Sequence, residues 1–258
     1  MLPNYYQKQE KPLFKDLEWN FPERKSNSIS VIGGNAQNFS TVIKTAEYLT
    51  STFPIQTVKT VLPESLRKKV PFPLDFAPST NSGSFDKTSM LDTLFSATDY
   101  NLIIGDLSKN SITSTAIEHA INSSSTPAVI ARDSVDVIAS AISDLIEHPN
   151  LTIIASMPQL QKLFRTLYYP KMLLLSQPLL PVIETLHKFS LSYPATILTL
   201  HQDQIIVASS GKITSTPLEK TSYSPITLWS GTLAANVTAY NLWNPNRPLE
   251  ATTAAILK

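Results

Sequence analysis

Short apolar segments alternate with segments of helical spacing along most of the chain. The predicted strands are residues 28–32, 55–62, 101–105, 128–131, 151–155 and 172–175, and the predicted helices are residues 42–49, 91–97, 115–121, 135–146, 160–167 and 179–191. Alternation of this kind is typical of βαβ units, which build a parallel sheet. Because the strands are apolar almost throughout, the sequence favours a sheet covered by helices on both faces.

The pattern changes after residue 195. Three short strands, residues 196–200, 204–208 and 212–216, are separated by polar turns, which is typical of an antiparallel meander. Two further helices, residues 232–243 and 248–257, follow the meander. We therefore predict an α/β fold with three layers, α/β/α, in which the central sheet is mostly parallel and carries a small antiparallel meander.

Two segments lie outside this regular pattern. Residues 1–27 contain prolines that break helices, so the chain is predicted to consist of an N-terminal arm, residues 1–27, and one domain, residues 28–258. The arm either packs across the surface of the domain or binds a partner. Residues 71–86 are rich in Pro, Ser and Phe and predict a loop, of which residues 78–85 are either a lid over a cleft or a solvated connection.

Charge and composition argue against several classes of function. The formal net charge of the 258 residues is +1, which predicts no nucleic-acid partner and no membrane partner. Cysteine is absent and the four histidines are far apart, so no metal site is predicted. No apolar run reaches the roughly 20 residues that span a bilayer, and the polar N terminus is unlike a signal peptide. These features predict a cytoplasmic protein.

Five motifs resemble one known family in residue type and in order. Residues 31–46, which begin Val-Ile-Gly-Gly-Asn, resemble a V-I-G-G-S strand end followed by a helix, and residues 60–66 resemble a P-E-S-L segment. Residues 101–105 resemble the strand before a G-P-G-x-G loop, residues 127–133 resemble P-L-V-L-D-A-D, and residues 230–235 resemble G-D-x-L-A-G. Taken together, the chain resembles a divergent NAD(P)H-hydrate dehydratase, a family of the ribokinase-like or carbohydrate-kinase superfamily.

The resemblance implies a nucleotide site and a substrate pocket. In that family ADP or ATP, with Mg²⁺, drives dehydration of hydrated NAD(P)H, so the implied ligands are an adenine nucleotide and an NAD(P)H-type molecule, and the implied assembly is a homo-oligomer. The nucleotide lies where a G-T-G-D turn opens a helix, because free N–H groups and the helix dipole stabilise its phosphates. The implied nucleotide-binding residues are Ser230, Gly231, Thr232 and His201. The implied substrate-pocket residues are Gly33, Gly34, Asn35, Thr41, Gly105 and Met157.

The chain departs from the family at the positions that carry catalysis. Residues 228–231 read Leu-Trp-Ser-Gly where the family has G-T-G-D, so Gly231 replaces the catalytic Asp and Trp229 adds bulk where a phosphate should approach. Residues 157–160 replace the family's H-P-G-E, and His201 replaces the lysine of K-G-A. The chain has only six glycines, which further weakens a phosphate-binding interpretation. Most of the family's chemistry is therefore predicted to be lost.

Several positions keep two interpretations each. Asp106 follows a strand and is the best remaining candidate for a functional carboxylate, as a general base or a metal ligand. Asp133 also follows a strand, but its sequence context favours a helix N-cap. Residues 230–232 form either an anion-binding nest or an ordinary N-cap. Residues 33–35 either line a ligand pocket or form a tight turn.

Three functions follow from this sequence. The favoured interpretation is a catalytically impaired, nucleotide-binding homologue of the dehydratases. The first alternative is an active divergent dehydratase, a lyase, or a small-molecule kinase, with Asp106 as a relocated base. The second alternative is a non-catalytic scaffold or interaction subunit. Resemblance to a family supports the fold more strongly than it supports the activity.

Overall fold

One sheet of ten strands forms the centre of the protein in the part of the chain that the computed structural model describes, residues 6–8, 21–70 and 74–257. The strands are β1 (Tyr6–Lys8), β2 (Ser26–Gly33), β3 (Ile55–Pro63), β4 (Asp75–Ala77), β5 (Tyr100–Gly105), β6 (Ala128–Ala131), β7 (Leu151–Ile154), β8 (Thr196–His201), β9 (Gln204–Ser209) and β10 (Lys212–Pro217). Their order from edge to edge is β4-β3-β2-β5-β6-β7-β8-β9-β10-β1. Neighbouring strands are parallel except that β9 runs antiparallel to both β8 and β10.

Helices cover both faces of this sheet. They are α1 (Ser40–Thr52), α2 (Ser89–Ser96), α3 (Ser111–Asn122), α4 (Ser134–Ile138), α5 (Ile142–Leu145), α6 (Met157–Thr166), α7 (Leu179–Ser192), α8 (Gly231–Trp243) and α9 (Pro248–Ile256). Short 3₁₀ turns occur at Glu64–Leu66, Leu218–Lys220 and Thr227–Trp229. Side chains from α1, α8 and α9 pack in one apolar core and those from α2 to α7 pack in a second.

Strand β5 contributes side chains to both apolar cores. Leu102 and Ile104 point into the core beside α1 and α8, whereas Ile103 points into the other core, because successive side chains of a strand lie on opposite faces. All three are fully buried. The three-layer α/β/α fold with a mostly parallel sheet is thus confirmed, and so is the antiparallel meander of β8, β9 and β10.

Three local predictions are wrong. Residues 172–175 form no strand, because they belong to the irregular connection between α6 and α7, and Met172 and Leu175 are exposed. Residues 135–146 form two short helices, because the Ala141 N–H donates to the Ile138 carbonyl (2.9 Å) and the regular helical ladder is broken there. The predicted loop at residues 71–86 contains strand β4, which extends the sheet beside β3.

Residues 78–85, for which the sequence leaves open a lid or a solvated connection, form a packed turn. Phe85 is buried in the core, and Ser79 and Phe85 form an isolated antiparallel bridge. The Ala36 N–H donates to the Gly83 carbonyl (2.9 Å), which ties the turn to the loop after β2. These contacts hold the segment against the domain beside the end of β2.

Part of the predicted arm lies within the described residues. Residues Tyr6–Lys8 pair in parallel with β10 at the sheet edge, and Phe21 stacks edge-to-face on Tyr240 and Trp243. Residues 1–5 and 9–20 of the arm lie outside the described part of the chain, and residues 26 and 27 already belong to β2. The division of the chain at residue 28 stays a prediction. No helix in the described ranges is both long enough and apolar enough to cross a membrane.

The strand order places a crevice between β2 and β5. After β2 the chain adds β3 and β4 on one side, and it then returns to add β5 on the other side. In open parallel sheets, ligands bind at such a switch point, outside the carboxyl ends of the strands. The loops after β2 and β5 therefore define where a ligand site is expected.

Candidate functional site

The ends of β2 and β5 approach each other through glycines. The Gly34 N–H donates to the Gly105 carbonyl (2.9 Å), and a Cβ added to Gly33 would lie 2.5 Å from that same oxygen. Gly105 itself has a positive φ of 102°. The predicted pocket residues Gly33, Gly34 and Gly105 thus meet at one point because their backbones are in direct contact. Asn35 joins them, since its amide Nδ2 donates to the Asp106 carbonyl (2.6 Å).

Asp106 is held in a strained conformation at this crevice. Its φ is 56°, in the left-handed region that non-glycine residues rarely adopt. The Asp106 N–H donates to Asp133 Oδ1 (2.9 Å), and Asn38 Nδ2 donates to Asp106 Oδ1 (2.9 Å). Asp106 is only 8% exposed. Asp133 does occupy the N-cap position of α4, but its carboxylate binds the Asp106 N–H instead of capping the helix.

Arg132 connects Asp106 to helix α8. It follows β6 directly and also has a positive φ, 61°. Its Nη2 lies 3.8 Å from Asp106 Oδ1, and its Nη1 donates to the Trp229 carbonyl (3.1 Å). The guanidinium is therefore positioned between the crevice and the turn that begins α8.

Burial raises the pKa of the Asp106 carboxyl above its ordinary value, because a buried environment disfavours the charged form. The Asp133 carboxylate acts in the same direction, whereas Arg132 and hydrogen bonding with Thr41 lower the pKa. Carboxyl groups with a raised pKa inside a cleft are candidates for general acid–base work.

The raised pKa predicts a pH dependence of stability. The folded protein binds the Asp106 proton more tightly than the unfolded chain does. This group therefore contributes its full amount to the free energy of unfolding when the pH is below 3.8, the ordinary pKa of the carboxyl. The contribution is lost as the pH rises through the raised folded pKa. We expect urea unfolding of Asp106→Asn to lack this acidic dependence, because asparagine does not titrate. Parallel stability curves for the two proteins between acid and neutral pH would contradict the assignment.

A cavity of about 230 Å³ lies between the N-terminal halves of α1 and α8. Its lining residues are Ser40, Thr41, Lys44, Thr45, Tyr48, Arg132, Ser230, Gly231 and Thr232. Two of these side chains are cationic, and among the described residues no carboxylate lines the cavity. The first N–H groups of α8 have no partner within the helix and carry the positive end of its dipole. The cavity, hereafter the α1–α8 cavity, therefore favours an anion.

Gly231 is packed against α1. A Cβ added to Gly231 would lie 1.9 Å from Thr45 Oγ1, so Thr45 occupies the space that a side chain at position 231 needs. Leu228 is buried in the core beside α1. Trp229 packs against that same core and does not line the α1–α8 cavity, contrary to the expectation that its ring blocks the approach of a phosphate.

The structure brings together some predicted residues and separates others. Ser230, Gly231, Thr232 and Thr41 line the α1–α8 cavity. His201 is 1% exposed, with Nε2 2.8 Å from the Gln177 carbonyl oxygen, and it does not line this cavity.

Met157 is buried at the start of α6, in the core on the opposite face of the sheet. It lies after β7, whereas the glycine crevice lies between β2 and β5. The structure thus places it apart from the other predicted pocket residues.

Sequence analysis missed five cavity residues, Ser40, Lys44, Thr45, Tyr48 and Arg132. Arg132 carried a usable signal, because it directly follows a predicted strand and so lies at the carboxyl edge of the sheet. Lys44 and Thr45 carried none, because they reach the cavity through the packing of α1 on α8, which lies far away in the sequence. In the described ranges there is no cluster of three His, Cys, Asp or Glu side chains that can hold a metal ion.

Comparison with known proteins identifies the architecture. No protein-family model matches the chain, and no curated protein matches it. A ribokinase-like superfamily protein from Enterococcus faecalis superposes on 100% of the chain and 87% of its own length, with a TM-score of 0.72 and 12% identity. The chain has the ribokinase-like fold.

Two further structures share this ribokinase-like fold. The ADP/ATP-dependent NAD(P)H-hydrate dehydratase from Bacillus subtilis, crystallised with ATP and Mg²⁺, matches 95% of the chain and 83% of its own length, with a TM-score of 0.57 and 10% identity. Pyridoxal kinase from Bacillus subtilis, in complex with ADP, matches 89% of each chain, with a TM-score of 0.51 and 14% identity. At 10% and 14% sequence identity, the structural similarity establishes the fold. It supports the motif resemblance to the dehydratases as a resemblance in fold.

Proposed function

We propose that this ribokinase-like protein binds an adenine nucleotide at the α1–α8 cavity and is catalytically impaired. The observation that carries the proposal is the convergence of Lys44 and Arg132 on the N terminus of α8. Helix N-termini and paired cations are the groups that recognise phosphate in proteins. The dehydratase and kinase of the same fold that were crystallised with ATP and ADP support the choice of nucleotide.

The chemistry of the lining suits a phosphate in particular. Arg132 offers a planar fork of donors that matches two phosphate oxygens, and Lys44 adds a second positive charge. The hydroxyls of Ser40, Thr41 and Thr232 supply further donors. Mg²⁺, when it accompanies the nucleotide, would be held chiefly by phosphate oxygens and water, because the described residues offer no metal-ligand cluster.

Loss of catalysis is inferred from position 231. The related family places its catalytic carboxylate there, and Thr45 closes that space in this protein. A base is required next to the reacting hydroxyl for proton transfer. Because no carboxylate lines the cavity among the described residues, nothing replaces the lost group beside the phosphate position.

One observation supports the alternative of an active enzyme. Asp106 lies 3.8 Å from Arg132, has a raised pKa, and sits at the switch-point crevice. If a substrate hydroxyl enters the crevice beside it, Asp106 would act as the base while Arg132 holds the phosphate. In either case, an NAD(P)H-type ligand, self-association and a cytoplasmic location remain predictions from the motifs and the composition.

The test is thermal unfolding in the presence of ADP or ATP, with and without Mg²⁺. A ligand at about 100 times its Kd stabilises the folded state by about 2.7 kcal/mol. For a domain of this size, each kcal/mol raises Tm by roughly 2–4 °C, so we expect a saturable rise of several degrees.

Arg132→Gln should weaken binding by roughly tenfold to a hundredfold, because it removes charge-assisted hydrogen bonds worth about 1.5–3 kcal/mol.

Two controls complete this test. Lys212→Gln removes an exposed positive charge on β10, away from the cavity, and should leave the nucleotide-induced shift unchanged. Each variant's shift is measured against its own unliganded Tm, which separates lost binding from lost stability. Absence of a shift with either nucleotide in the native sequence would refute the proposal. Turnover of hydrated NAD(P)H by the native sequence would refute the loss of catalysis and make Asp106→Ala the next variant.

A further inference from the structure

A second cavity, of about 420 Å³, lies between the C-terminal half of α6 and the irregular segment before α7. It is on the opposite face of the sheet from the α1–α8 cavity, since α6 and α7 belong to the other helical layer. Its volume falls within the roughly 300–1,000 Å³ that is typical of small-molecule sites. We call it the α6 cavity.

The wall of the α6 cavity is built from rigidly packed groups. Phe164 stacks on Phe189 with ring centroids 4.4 Å apart, and it meets the Tyr169 ring edge-on at 4.9 Å. The Gln161 amide Nε2 donates to the Leu173 carbonyl (2.7 Å), which ties the irregular segment across α6. Leu173 is buried. The cavity is therefore formed by fixed contacts before any ligand arrives.

The rim of the cavity exposes apolar side chains to water. Tyr168 is 93% exposed and Met172 is 75% exposed. Tyr168 also has a φ of 50°, a left-handed conformation that is unusual for a bulky residue. This conformation ends α6, because the Tyr169 N–H donates to the Phe164 carbonyl (2.9 Å), and the Tyr168 side chain gains nothing from burial in the free protein. Exposed apolar groups around a cavity indicate a binding surface.

The charges at the cavity determine the class of ligand. Arg165 and Lys171 line it, and among the described residues no carboxylate does. Both side chains have long apolar stems that lie along apolar surface while the charged end reaches water. We infer that the α6 cavity binds a small amphipathic anion, whose apolar chain or ring fills the aromatic cavity and whose carboxylate meets Arg165 and Lys171. This site is independent of the proposed nucleotide function.

The experiment uses the full chain with ¹³C-methyl-labelled methionine. The sequence has four methionines, Met1, Met90, Met157 and Met172, so each gives an assignable methyl signal. Met172 reports on the α6 cavity, while Met90 on α2 is an exposed control. Decanoate is titrated below its micelle concentration, against decyltrimethylammonium as a probe of equal chain length and opposite charge. We expect a saturable shift of the Met172 signal with decanoate, little change with the cation, and no change at Met90.

Variants test the two halves of the proposal. Arg165→Gln combined with Lys171→Gln should raise the Kd for decanoate by roughly twofold to thirtyfold, because partly exposed ion pairs contribute about 0.2–1 kcal/mol each. Tyr168→Ala changes a fully solvated side chain, so the variant should fold normally and bind decanoate more weakly. Equal binding of decanoate and the cationic probe would overturn the assignment of an anion. A Met172 signal that does not move with decanoate, or that moves together with Met90, would overturn the site itself.

Discussion

Replacement of Gly231 by alanine is expected to destabilise the protein by about 1–3 kcal/mol, the cost of inserting a methyl group into a packed contact. The new Cβ would lie 1.9 Å from Thr45 Oγ1 and 3.1 Å from Thr45 Cβ. Gly231 is the first residue of α8 and does not have a positive φ, so alanine meets no backbone penalty there. The whole effect should come from the overlap with Thr45. Urea unfolding measures this loss of stability, provided that the dependence of the unfolding free energy on urea concentration is the same in both proteins.

The second variant in this test removes the obstacle. Thr45→Ala deletes Oγ1, so alanine at position 231 should cost less in the Thr45→Ala background than in the native sequence. The difference between the two costs is the coupling energy of a double-mutant cycle. Additive effects would mean that α1 and α8 separate freely at this point. In that case position 231 could accept a side chain, and Thr45 would not be what excludes a carboxylate from it.

The regular part of the fold was predictable because the strands repeat one local pattern. Residues 102–104 are apolar without interruption and are followed by glycine, which identifies a buried parallel strand without any knowledge of its neighbours. The same rule failed at residues 172–175. Their apolar side chains suggest a buried strand, but Met172 and Leu175 are exposed on the connection between α6 and α7. The spacing of apolar residues in the sequence does not distinguish those that are buried from those that are exposed to solvent.

The candidate site was predictable only where one strand end was enough to define it. Gly33 ends β2, Gly34 follows it, and Asp106 follows β5. Their place at the carboxyl edge of the sheet follows from the βαβ pattern. The role of Thr45 was not predictable, because it depends on the close contact of α1 with α8, which are far apart in the sequence. His201 was placed by motif alone. It ends β8, which β6 and β7 separate from β5, and it does not line the α1–α8 cavity.

Replacement of Gly105 by alanine is expected to cause the largest loss of stability, about 3 kcal/mol or more, because two penalties add there. The φ of Gly105 is 102°, which strains any L-residue with a side chain. Its new Cβ would also lie 2.0 Å from Asp133 Oδ1, the atom that accepts the Asp106 N–H. Relief of the overlap requires the Asp133 carboxylate to move, so the strained Asp106 loop would lose its anchor.

Gly34→Ala separates the two penalties. Gly34 also has a positive φ, 91°, but its new Cβ would meet the nearest atoms only at 3.2 and 3.3 Å. We therefore expect a smaller loss of stability at Gly34 than at Gly105, and the excess at Gly105 should shrink in an Asp133→Ala background. Because Asp106 is positioned by this same carboxylate, Gly105→Ala should also disturb Arg132 and weaken nucleotide binding at the α1–α8 cavity. Equal losses at the two glycines would show that backbone strain alone sets the cost and that the Asp133 carboxylate moves aside without a penalty.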